Sequence, residues 1–282
     1  MIDTSFLKQL ARFNLVIRKR VTSSFTGAQK SFTLGTGTEL RDKRKYESGD
    51  DIRLIDWNVY ARTDKLHIKR FEEEKNLTTH IIVDYSKSMN FGKKHTKFQY
   101  SSMLGIGFAY IAMRNNNRFD FTTFSDDIHP IKARKGMKQL AHIIDYLNKL
   151  KSKGTSDFSE MMSVYLKTIK NKSMVVIISD FLFDIEEIKD GISRFKNHDL
   201  KVIQVLDKEE KELDIEGDFN LIDSETDKSM KTYISKRERQ EYIEELNEHS
   251  AKIQNIVESV GGKFYTTTTH EDVFNVFYNI LA

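Results

Sequence analysis

The stretch IIVDYSKSMN, residues 81–90, runs three apolar β-formers into Asp84 and then sets hydroxyls at Ser86 and Ser88. A strand apolar on both faces belongs in the middle of a sheet covered by helices on both sides, so this reading decides the fold class. A second such run, MVVIISD, ends at Asp180. Working outward, short apolar runs alternate with longer amphipathic segments from Leu77 to the end, the pattern of repeated βαβ units. Strands are expected at THIIVDY, RFDFTTF, IHPIKAR, MVVIISDF, LKVIQVL and GKFYTTT. Helices are expected over 97–114, 136–150, 157–169, 184–197, 236–260 and 271–282, with a hairpin inside 219–234. The strands flanking DDIH are joined too tightly for a crossover, so one of them runs antiparallel at an edge. Pro130, the only proline, falls in that edge strand, where a missing donor is tolerated. The fold expected is α/β: a doubly wound, mainly parallel sheet with one antiparallel edge strand. A smaller helix-plus-strand segment precedes it, and the division is placed at 1–76 and 77–282.

Two strand-end aspartates define where chemistry would sit, because an open α/β sheet binds its ligands outside the carboxyl ends of its strands, at the point where the winding reverses. Between them, KGTSDFSE places Thr155 in a glycine-preceded loop opening a helix, with Ser156 as a second hydroxyl in the same loop. If the two strands are neighbours, Asp84, Asp180 and the hydroxyls of Ser86, Ser88 and Thr155 converge. All are hard oxygen donors, which suits Mg²⁺, and next Mn²⁺ or Ca²⁺, rather than zinc. Tyr85 and Lys87, between the donors, would point away from such an ion and shape its rim.

Composition excludes several classes. The chain has 282 residues, no cysteine, and 45 basic against 42 acidic residues. Disulfides and thiolate chemistry are therefore absent, which fits a reducing compartment, and the cytoplasm is expected. No run of about 18 apolar residues exists to span a bilayer. The amino terminus reads as an amphipathic helix rather than a secretory signal. The charge balance is too near neutral for a dedicated nucleic-acid binder. Residues 1–76 carry a basic excess, 16 against 11, so contact with a membrane surface through the amino-terminal helix is a further expectation. The eight histidines show no paired zinc spacing and are expected at surface or boundary positions. Gly105 and Gly107, in an almost wholly apolar helix, are expected to admit close packing.

DYSKSM, Thr155 and ISD together resemble the metal-ion-dependent adhesion site (MIDAS) of von Willebrand factor type A domains. That resemblance implies a divalent cation whose open position is completed by a partner's carboxylate, in a binding module that catalyses nothing. Upstream, residues 35–76, with the core YESGDDIRLIDWNVYART, are similar to the signature of the bacterial family known as domain of unknown function 58. Members of that family are typically encoded beside a MoxR-type AAA+ ATPase. The resemblance therefore implies an adaptor or regulator of such an ATPase in a chaperone-like, stress or envelope-related role, with other type A domain proteins as further partners.

Within the signature, Arg53 and Asp56 stand close enough to pair, and Trp57 is the only tryptophan. The cluster either fixes a loop against a neighbouring domain or, with Arg62, forms a recognition surface for the ATPase. The rival to a binding module is a Mg²⁺-dependent phosphohydrolase of the haloacid dehalogenase type with Asp84 as nucleophile. That chemistry wants an acid two residues later, where this chain has Ser86, and a hydroxyl is no general acid near neutral pH.

Overall fold

The computed structural model describes residues 4–20, 39–72, 78–131, 136–150, 154, 157–213, 217–222 and 229–281. By contacts the chain divides into a main unit, Met1–Val21 with Leu77–Ala282, and a small unit, Thr22–Asn76. By these contacts the amino-terminal helix groups with the main unit rather than with the signature segment.

The small unit is a hairpin with an inserted helix. Strands β1 (Glu39–Lys45) and β2 (His67–Glu72) pair antiparallel, Lys45 opposite His67. Between them a 3-10 turn at Ile52–Leu54 leads to α2 (Trp57–Thr63), which ends at Asp64 in a left-handed conformation. Ile55 bridges to Ile68, and both are buried.

In the main unit, α1 (Thr4–Arg20) comes first. After the small unit the chain runs β3 (Thr79–Asp84), α3 (Lys97–Arg114), β4 (Phe119–Phe124), β5 (Ile128–Ile131) and α4 (Met137–Lys149). It continues with α5 (Phe158–Leu166), β6 (Met174–Ser179), α6 (Ile185–Ser193), β7 (Asp199–Leu206) and the short α7 (Lys208–Glu212). The hairpin β8 (Gly217–Ile222) and β9 (Ser229–Ile234), α8 (Lys236–Ser259), β10 (Lys263–Thr268) and α9 (Val273–Leu281) complete it. Helices α5 and α6 stop short of the expected ends at 169 and 197, and α7 is an element the apolar pattern does not announce.

Six strands form one sheet in the order β10-β7-β6-β3-β4-β5, parallel except for β4 with β5. Read from β5, this is the doubly wound order 3-2-1-4-5-6, whose winding reverses between β3 and β6. Pro130 lies opposite Thr122 in the antiparallel edge strand, as expected.

Alternation along β3 sends side chains to two helical layers. Ile82 joins Phe158, Met162, Ile188, Ile192, Ile253 and Val257, from α5, α6 and α8. Val83 lies against α3 on the other face, where a Cβ on Gly105 would come within 3.1 Å of it and 2.8 Å of the Phe121 ring. Gly107 instead meets Phe277 of α9, so only one of the two glycines serves the packing of α3 on the sheet.

Two expectations about single residues fail. His80 is buried, with Nδ1 2.9 Å from the Tyr165 hydroxyl and 3.4 Å from Asp120. Tyr85 shapes no rim: it too is buried, its ring near those of Phe98 and His129. Phe6 and Leu10 of α1 are likewise buried, so this part of the helix's apolar face is not offered to a lipid surface. Among the described residues, no helix is long and apolar enough to cross a membrane.

Candidate functional site

Asp84 ends β3, and β6 lies directly beside it, so the two strand-end aspartates meet at the reversal of winding. Both are buried. The turn after β3 folds back: the Ser86 amide donates to Asp84 Oδ1 at 2.8 Å, and the Ser86 and Ser88 hydroxyl oxygens stand 3.0 Å apart. A 3-10 turn at Lys87–Asn90 fixes this spacing, with the Met89 side chain buried beneath it.

Gly154 borders the same turn. The Gly154 carbonyl accepts from the Lys87 amide at 3.3 Å, and a Cβ on Gly154 would lie 2.8 Å from the Asp126 carboxyl. Thr155 and Ser156 themselves lie outside the described residues.

Four participants go unannounced by the sequence. The Ser179 hydroxyl donates to Asp84 Oδ2 at 2.6 Å and accepts from the Phe181 amide at 3.0 Å. Lys97, the first residue of α3, is 0% exposed and donates from Nζ to Asp180 Oδ2 at 2.8 Å and to Glu210 Oε1 at 2.7 Å. Glu210 completes the capping box of α7, whose N-cap is the buried Asp207. A lysine opening an otherwise almost apolar helix was the one available signal for Lys97, since lysine is almost never fully buried unless paired.

Phe181, next to Asp180, holds a left-handed φ of 53°, a costly conformation for a bulky residue. It is fixed from both sides, because His249 Nε2 also donates to its carbonyl at 2.8 Å.

The electrostatics separate the two aspartates. Burial, and then the charge of Asp180, push the Asp84 carboxyl up to about 7, against the hydrogen bonds from Ser179 and Ser86. Among the described residues Asp84 receives only neutral donors, whereas Asp180 receives an ammonium. Burial works against the charge of Lys97, but Asp180 and Glu210 outweigh it and hold the ammonium above its ordinary value. Two carboxylates, Asp180 and Glu210, thus hold one cation.

The signature residues separate as well. Asp56 is buried, pairs with Lys43 at 2.7 Å and caps α2 through the Asn58 and Val59 amides. Its partner is therefore Lys43, not Arg53 as the spacing suggested. Arg62 Nε donates to the Asn58 carbonyl one turn back. Trp57 is 60% exposed, edge-on to Tyr60.

The sequence profile described as Protein of unknown function DUF58 matches residues 42–252. The chain belongs to this family. Curated relatives of this DUF58 protein include the uncharacterized protein Rv1480 of Mycobacterium tuberculosis and Mb1516 of Mycobacterium bovis. Each is 23% identical over 275 residues, covering 96% of this chain and 87% of the relative. Among solved structures, BatB from Bacteroides thetaiotaomicron is similar over 72% of this chain and 96% of its own, with 12% identity and a TM-score of 0.46. The SpRpn10 VWA domain is similar over 72% and 94%, with 14% identity and a TM-score of 0.41.

Proposed function

We propose that this DUF58 protein is a non-enzymatic, cytoplasmic protein-binding module that docks an acidic side chain of a partner through a divalent cation. Mg²⁺ is the first choice, with Mn²⁺ or Ca²⁺ as alternatives, held by Asp84, Ser86 and Ser88 with Thr155 and Asp180. The observation that carries the reading is the oxygen cluster at the reversal of winding. Neighbouring oxygens in a six-ligand Mg²⁺ shell lie about 3.0 Å apart, given metal–oxygen distances of about 2.1 Å. Ser86 Oγ and Ser88 Oγ already stand at 3.0 Å. Asp84 beside them is a buried carboxyl without a positive partner among the described residues, a costly arrangement that a cation would relieve. No group of three His, Cys, Asp or Glu side chains gathers among the described residues.

When bound, the cation supplies an open position to a carboxylate oxygen. The chain's own part is to present Asp84, Ser86 and Ser88 in fixed geometry. The proposed partner, a MoxR-type AAA+ ATPase, follows from the family resemblance. In the small unit, the exposed Trp57 and Tyr60 favour a recognition surface that includes Arg62, whereas Asp56 is structural.

Melting the protein in Mg²⁺ and in chelator tests the reading. Saturation at 100 times Kd stabilises the wild type by about 2.7 kcal/mol. Asp84→Asn, which keeps the shape and removes the charge, loses that shift and, in chelator at pH 8, is no less stable than the wild type. Capture of the ATPase should need Mg²⁺ and fail in the variant. Equal melting and equal capture in chelator would refute the reading, and Asp84-dependent release of inorganic phosphate would favour the phosphohydrolase.

A further inference from the structure

The two aspartates of the site are alike in sequence position but not in surroundings. Asp84 Oδ1 and Oδ2 accept from the Ser86 amide and the Ser179 hydroxyl. Asp180 Oδ2 accepts from the Lys97 ammonium, Oδ1 from the Leu182 amide at 3.3 Å, and its main-chain carbonyl from Gln204 Nε2 at 3.0 Å. Lys97 cannot swing away to solvent: its side chain is wholly buried, and Glu210 grips it from the other side. Removing one member of such a buried pair leaves an uncompensated charge, so the pair persists whatever binds nearby.

We propose that Lys97 is a positioning residue that holds Asp180 out of direct contact with the cation, so that Asp84 is the only carboxylate bound to it directly. The inference rests on the cation reading above. An ion placed directly on Asp180 would meet the ammonium across a single carboxylate, and in a buried site that repulsion is little screened. The cation is therefore bound directly by Asp84 and the hydroxyls, and Asp180 reaches it through water. One directly bound carboxylate neutralises half of a divalent charge. The remaining positive charge faces the open position and selects an anionic group there over a neutral amide or hydroxyl. Glu210 accepts from the same ammonium and so ties this arrangement to the start of α7.

Mn²⁺ is the probe, because water-proton relaxation reports the number of waters on the bound ion as well as the affinity. The full chain is compared as wild type, Lys97→Met and Lys97→Arg. Lys97→Met frees Asp180 to bind directly: its Mn²⁺ carries one water fewer and binds about tenfold more tightly. Lys97→Arg restores the charge and the wild-type water number. Where Lys97→Met does not fold, Glu210→Gln serves, since it leaves the ammonium on Asp180: its Mn²⁺ keeps the wild-type water number. An unchanged water number in folded Lys97→Met, or one water fewer in Glu210→Gln, overturns the assignment while leaving the cation reading intact. A wild-type chain that takes up no Mn²⁺ overturns both.

Discussion

At the residue scale, the site shows which side chains a sequence can disclose. Asp84, Ser86 and Ser88 lie within five residues, so one turn brings them together and their alternation is readable in the chain. Lys97 and Asp180 stand 83 residues apart, and Ser179 and Asp84 95 apart, so only the folded sheet makes them partners. His80 was misread for the same reason, since its burial depends on Tyr165 and on the neighbouring strand. Burial lowers its pKa, His198 adds to that, and Asp120 opposes it. The native state therefore resists protonation of His80 where the unfolded chain accepts it, below a pH of about 6.5. The stability contributed by neutral His80 is complete above that pH and is lost as the pH falls. Urea midpoints should decline from pH 7 to pH 5 in the wild type and decline less in His80→Gln. Equal slopes for the two proteins would remove His80 from the account. The variant itself should cost about 1–2 kcal/mol at pH 7 through the lost bond to Tyr165.

At the element scale, every strand of the main sheet was legible, because buried parallel strands are continuous apolar runs and the antiparallel edge betrays itself by a short loop. The short helix α7 was not, since Lys208–Glu212 is polar throughout and exists through the Asp207–Glu210 capping box. The glycines of α3 were read correctly as close-packing sites, but not as facing different partners. Gly107→Ala tests the difference. In a free helix the change would stabilise by about 1 kcal/mol. Here the added methyl would overlap the Phe277 ring, which is buried and edge-on to Phe108 at 5.4 Å. The variant should instead lose about 1–3 kcal/mol by chemical denaturation. Combining it with Phe277→Leu should recover part of that loss, because neighbouring sites are not additive. A Gly107→Ala protein as stable as the wild type would mean that α9 yields easily.

At the scale of the whole molecule, the amino-terminal helix is what the sequence placed least well. Its amphipathic pattern was plain, but amphipathicity does not say what the apolar face covers: a neighbouring helix and a membrane make the same demand of the sequence. The structure answers for its first turns. Leu10 is 1% exposed, and the rings of Phe6 and Phe13 lie 5.8 and 5.3 Å from that of Phe274 in α9, with Phe13 also 6.1 Å from Phe277. A segment more than fifty residues upstream of β3 thus completes the core at the far end of the chain. Leu10→Ala should then lower the stability of the sheet domain by about 2–5 kcal/mol, as a buried leucine does elsewhere. The loss should appear in the same cooperative transition that reports on α3 and α9. If the helix served chiefly as a membrane contact, the variant would melt like the wild type and lose only its affinity for anionic vesicles. Measuring both in one preparation separates a core helix from a surface anchor.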